Sequence, residues 1–212
     1  MGFNILAYYH SLTHILSNIS SFIPSTYRED PYSWMGSMCR KSYATDWPHD
    51  KDHCPNLVLN EVDRTHNING NPATGRATVT VIYKATNTTK HDTLVGLWND
   101  WYGDFLAITE FPRIIVRYED ILFHTTEVVQ EVCKCGGGRL LTEGPISLIA
   151  DSAKGSEGAH AGANGLLSAI LRYGNPATRI EGMTKDDIDF AGSHLRKDLM
   201  SIFQYQYARG GR

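Results

Sequence analysis

Three groups of residues have types and spacings that could do chemistry. The first, Gly70 to Ala77 (GNPATGRA), has the glycine spacing of a phosphate-cradling loop. Such a loop needs a Lys to reach the phosphates and a Ser or Thr to hold magnesium, and it joins a strand to a helix. Arg76 and Ala77 stand at those two positions, and the residues that follow read as a strand. A turn leading into that strand is therefore expected. The second group, Cys39 with His49, His53 and Cys54, offers zinc ligands at a His-x3-His spacing, but no second cysteine pair accompanies it. A solvated loop with polar histidines is expected there, while in a luminal chain Cys39 and Cys54 would be free to form a disulfide. In the third, Cys133-Lys-Cys135, positions i and i+2 lie on different faces of a helix, which is poor geometry for chelation. No metal is expected, and these are read as structural cysteines.

A string of segments in fixed order carries more information than any of these. Arg28 to Cys39 reads REDPYSWMGSMC and Leu94 to Tyr102 reads LVGLWNDWY. Phe111 to Leu122 follows as FPRIIVRYEDIL, and then Val128 to Cys133 as VVQEVC with a glycine stop. A late loop holds Lys154 and His160. Over roughly residues 25–207 the chain resembles the sulfotransferases, which use 3′-phosphoadenosine 5′-phosphosulfate (PAPS) as co-substrate. The VRYEDIL run after a strand, followed by a Val-Val helix, is the most specific part of the resemblance.

The resemblance implies an α/β fold, a P-loop NTPase-like parallel sheet flanked by helices. It also implies transfer of a sulfuryl group to a hydroxyl or amine of a carbohydrate, lipid or small-molecule acceptor. In the family the 3′-phosphate sits on a strand–turn–helix with a basic residue at the turn and a serine on the helix. A helix start favours anions through its free amide hydrogens and partial positive charge. By that match Ser37 holds the family's serine position. Glu29 falls at the basic position, with Arg28 one residue earlier as the nearest cation. Lys154 and His160 match the basic loop that closes over the nucleotide, and an ammonium there acts as a point charge on phosphate. Arg117, Glu119 and Asp120 are assigned a structural part. Trp98, Trp101 and Tyr102 are expected in the core, with an acceptor pocket as the alternative.

The family's Lys-x-Gly-Thr-Thr/Ser loop, which holds the 5′-phosphosulfate, has no counterpart in residues 1–27, and the first lysine is Lys41. Residues 1–24 are therefore read as an atypical N-terminal segment, and 25–212 as a partial sulfotransferase-like domain whose first strand, loop and helix are missing or degenerate. The alternative to an enzyme is a non-catalytic or truncated remnant with at most nucleotide binding. A small kinase would need a Walker-type loop, and none is present.

The elements that must position these residues follow from local pattern. Asp30 is a good N-cap and Pro31 suits the first helical position, ahead of Trp34, Met35, Met38 and Cys39 at helical spacing. The stretch from Thr45 to Gly75 has the composition of a long surface loop. A strand is expected over Ala77–Lys84, and a helix over Thr93–Ile108. Another strand is expected over Arg113–Arg117, followed by helices over Thr125–Lys134 and Asn164–Tyr173. Thr184 with Asp187 suggests a capping box opening a last helix to about Phe203.

Composition bounds the rest. The 212 residues hold 20 Lys+Arg against 23 Asp+Glu, a net charge of −3. That near balance argues against nucleic acid as a partner. Gly2 to Pro24 is interrupted by His10, His14, Asn18 and serines, so it lacks the ~20 apolar residues of a membrane span. It also lacks the basic start of a secretory signal. The chain as written reads as cytoplasmic, and a Golgi lumen stays open should an anchor precede it. Two triplets, Asn18-Ile-Ser and Asn87-Thr-Thr, match the glycan acceptor pattern, which matters only in a secretory lumen.

Overall fold

The computed structural model describes residues 25–28, 30–50, 53–84, 87–110, 114–138 and 166–208. The chain divides into two units: 1–29 with 109–175, and 30–108 with 176–212. Among the described residues the protein is mixed α/β, with eight α-helices, a parallel strand pair and a three-stranded antiparallel sheet.

In the first unit β1 (Ser25–Arg28) pairs in parallel with β5 (Ile114–Arg117), Ser25 opposite Ile114 and Arg28 opposite Arg117. Helix α4 (Tyr118–Phe123) starts directly from β5, and α5 (Thr125–Cys135) follows. Val116, Ile121 and Val132 form a small core there, with Ile114 and Val128 packed against it. Helix α6 (Leu166–Tyr173) sets Tyr173 against Tyr118, ring centroids 4.8 Å apart. Within the described residues the expected strand and both helices are present.

The second unit begins with α1 (Pro31–Arg40), Asp30 at its N-cap and Pro31 in its first position. Met35 and Met38 are fully inside, as the helical spacing expects. Strand β2 (Thr45–Asp46) pairs antiparallel with β3 (Val79–Lys84), which pairs with β4 (Asn87–His91), giving the order β2-β3-β4. Helix α3 (Leu94–Ala107), capped by the Thr93 hydroxyl, buries Leu94, Val95, Leu97, Trp98 and Tyr102. Trp98, Tyr102 and Phe203 meet edge to face, with centroids 4.9 to 6.0 Å apart. Trp98 and Tyr102 are thus core residues, whereas Trp101 is 50% exposed.

Three differences from the sequence reading have identifiable causes. The described residues of 45–75 are only in part a surface loop: 69–75 are exposed or half-buried, but Trp47, His53, Cys54, Asn56, Leu57, Asp63 and Ile68 are buried, and α2 (Glu61–Thr65) lies within the stretch. Its Asp, Asn and His side chains bond one another inside the protein, so a polar composition misreports exposure. Strand β4, with the sequence NTTKH, lacks apolar alternation because it ends the sheet with four of its five residues exposed. The expected last helix is two: α7 (Lys185–His194), opened by the Thr184–Asp187 capping box, and α8 (Lys197–Ile202). The Asn99 side chain holds the break, donating to the His194 carbonyl at 2.8 Å and accepting from the Arg196 amide at 3.0 Å. A backbone carbonyl and amide at a helix break need such partners, and these come from a different helix.

The glycines of the P-loop-like stretch have a turn's geometry. The Asn71 amide donates to the Arg76 carbonyl at 2.8 Å and the Gly75 amide to the Asn71 carbonyl at 2.7 Å. A Cβ on Gly70 would lie 2.6 Å from the Arg76 carbonyl oxygen, and Gly75 has φ +67°. Gly70 therefore has no room for a side chain, and the positive φ at Gly75 favours glycine.

Candidate functional site

The sequence-derived binding residues fall in different parts of the chain. Arg28 ends β1 in the first unit, and Ser37 is half-buried on α1 in the second. Lys154 and His160 lie outside the described residues.

The start of α1 shows why Asp30 holds this position. One carboxylate oxygen accepts from the Tyr32 and Ser33 amides at 3.1 and 3.2 Å. The other accepts from the Arg179 guanidinium at 2.5 Å. Arg179 comes from a 3₁₀ turn over Pro176–Ile180, and also donates to the Gln206 carbonyl at 2.7 Å. Its guanidinium stands 5.3 Å from the centre of the Tyr32 ring. Burial raises the Asp30 pKa, and the Arg179 charge and the amide hydrogen bonds offset part of that rise. The free amides that make a helix start attractive to a phosphate are here met by a carboxylate. Sequence reading identified the cap but not Arg179, which no motif marks and which is 149 residues away.

A second centre lies deeper. His53 stands between two carboxylates, Nδ1 donating to Asp63 at 2.5 Å and Nε2 to Asp187 at 2.9 Å. Asp63 and Asp187 are 0% exposed and His53 is buried. Each carboxylate also closes a capping box, three residues after its N-cap. Asp63 accepts from the Asn60 amide at 2.7 Å, and Asp187 from the Thr184 amide at 3.3 Å. Asn56 Nδ2 donates to Asp63 at 2.8 Å, and the Val58 amide to Asp187 at 3.0 Å. Both ring nitrogens face carboxylate oxygens, an arrangement that favours the doubly protonated, positively charged ring, which donates from each nitrogen. Burial alone pushes the His53 pKa down; hydrogen bonds and charge from Asp63 and Asp187 outweigh it, and the pKa lies above its ordinary value.

The cysteine–histidine group is thus not the solvated loop expected, since His53 and Cys54 are buried. Cys39 and Cys54 form a disulfide with Cα atoms 5.9 Å apart, and His53 has no ring nitrogen left for a ligand. His49 Nδ1 donates to the Trp47 carbonyl at 2.9 Å, and the ring stacks on that of Trp47 with centroids 4.0 Å apart. Among the described residues no group of His, Cys, Asp or Glu is placed to hold a metal ion. No described helix is long and apolar enough to cross a membrane.

In the first unit, Arg117 makes a two-pronged contact with Asp120, Nε at 2.7 Å and Nη2 at 2.5 Å. That clamp fixes the turn from β5 into α4. Cys133 is buried and Cys135 exposed, both as free thiols. Comparison with known proteins returned no matching family model, and no match among curated proteins or solved structures.

Proposed function

We propose that the chain is a sulfotransferase-like protein that binds a 3′-phosphoadenosine nucleotide and moves a sulfuryl group from PAPS to a hydroxyl or amine acceptor. The observation that carries the reading is the parallel pairing of β1 with β5. It sets side by side the two segments that resemble the family most, the one ending in Arg28 and the one leading into Arg117-Tyr-Glu-Asp. In parallel α/β sheets, ligands collect at the carboxyl ends of the strands, where Arg28 and Arg117 are partners here. A P-loop NTPase-like parallel sheet extending from this pair is part of the proposal. The resemblance assigns Ser37 to the 3′-phosphate, and Arg28, Lys154 and His160 to the nucleotide's negative charge. The acceptor oxygen or nitrogen would attack sulfur in line and lose its proton to a base.

A second reading, nucleotide binding without transfer, draws on a specific observation. The Tyr32 and Ser33 amides already bond Asp30, and Glu29 stands where the family carries a basic residue. Titration calorimetry with 3′-phosphoadenosine 5′-phosphate separates these readings from a chain that binds no nucleotide. Micromolar binding is expected, weakened by about tenfold or more in Ser37→Ala, because a hydrogen bond to a charged group contributes about 1.5–3 kcal/mol. No binding by well-folded protein would overturn both readings. Binding without sulfuryl transfer to an acceptor panel would select the second.

A further inference from the structure

Two features described separately bear on the outer strand of the antiparallel sheet. The Cys39–Cys54 disulfide is of a kind that persists in oxidising compartments such as the secretory lumen and is rare in the cytosol. Within β4, Asn87-Thr88-Thr89 is an acceptor triplet for asparagine-linked glycans: an asparagine, a residue other than proline, then a hydroxyl. Asn87, Thr88, Thr89 and Lys90 are all exposed. Strand β4 ends the order β2-β3-β4, so among the described strands nothing pairs along its outer side. Thr89 Oγ1, the hydroxyl the acceptor pattern requires, is likewise at the surface, 3.1 Å from His91 Nε2.

We propose that Asn87 carries an N-linked oligosaccharide. In its formation the Asn87 Nδ2 attacks C1 of the first sugar of a polyprenyl-pyrophosphate-linked oligosaccharide. The N–C1 bond forms and the C1–O bond breaks; the pyrophosphate leaves with the electron pair, and the amide proton passes to a base of the transferring enzyme. A bulky hydrated glycan at Asn87 also guards the sheet edge, where an unpaired strand invites pairing with another chain. Nothing in this proposal depends on the sulfotransferase reading.

The test is peptide mass spectrometry on full-length protein isolated from its natural source. The expected result is a glycan on the Asn87 peptide, released by peptide N-glycosidase with an aspartate left at that position. The same measurement on full chain directed to a eukaryotic secretory lumen, in an Asn18→Gln background, reads this triplet alone. There Thr89→Ala is expected to reduce occupancy of Asn87 to near zero and Thr89→Ser to retain it. Occupancy is read on digested peptide, so a poorly folding variant still gives an answer. An unmodified Asn87 in the natural protein overturns the proposal, as does equal occupancy in Thr89→Ala.

Discussion

Replacing His53 by glutamine is expected to lower the free energy of unfolding by roughly 3–5 kcal/mol, the range found when one partner of a buried ion pair is removed. Asp63 and Asp187, both 0% exposed, would be left facing each other without the cation that stands between them. Glutamine is close in size and offers a donor, so the loss reports charge more than volume. Urea denaturation measures it, and a loss below about 1 kcal/mol would show that the buried carboxylates need no cation. The pH dependence has a definite sign. His53 has a folded-state pKa above its ordinary value, near 6.5 in an unfolded chain. Between those two values the native state binds more protons than the unfolded state, so stability falls as pH rises. The contribution is complete below about pH 6.5 and is lost as pH climbs through the folded-state pKa. His53→Gln removes this slope, and an unchanged slope in the variant would assign it to other groups.

The second large effect is expected from the disulfide. Cys39 and Cys54 are 15 residues apart, and closing a loop of that length stabilises a protein by about 3 kcal/mol in the chain-entropy account. The bond ties the end of α1 to the residue next to His53, so it also limits the paths by which the charge centre opens. The double variant Cys39→Ser, Cys54→Ser is expected to unfold at lower urea, and reductant is expected to shift the natural protein but not the variant. Identical midpoints with and without reductant would show that the bond contributes nothing. The two effects will not add fully, because His53 and Cys54 are chain neighbours.

What was legible in the sequence was governed by near neighbours. Asp30 before Pro31, Thr184 three residues before Asp187, and β-branched runs after Thr78 and Pro112 each depend on a few adjacent residues, and each gave the right element. What was not legible depends on partners far along the chain. Nothing near residue 53 announces that its ring will meet Asp187, 134 positions later. The capping box at Thr184 was readable, but Asp187's second bond, to His53, was not. The break after His194 follows from Asn99 on α3, so the local pattern ran straight through it. At the candidate site the same division holds: Asp30 was found by its neighbours, and Arg179 was not.

The Asp30–Arg179 pair has a consequence for motion. The first amides of a helix normally trade their hydrogens with water almost freely, because the end frays. At α1, Tyr32 and Ser33 can release theirs only when the Asp30 carboxylate swings away, and Arg179 restrains that carboxylate from the 3₁₀ turn. Slow deuterium uptake at these two amides would therefore report on residues 176–180 being seated. In Arg179→Met the two amides should exchange faster while the middle of α1 keeps its protection.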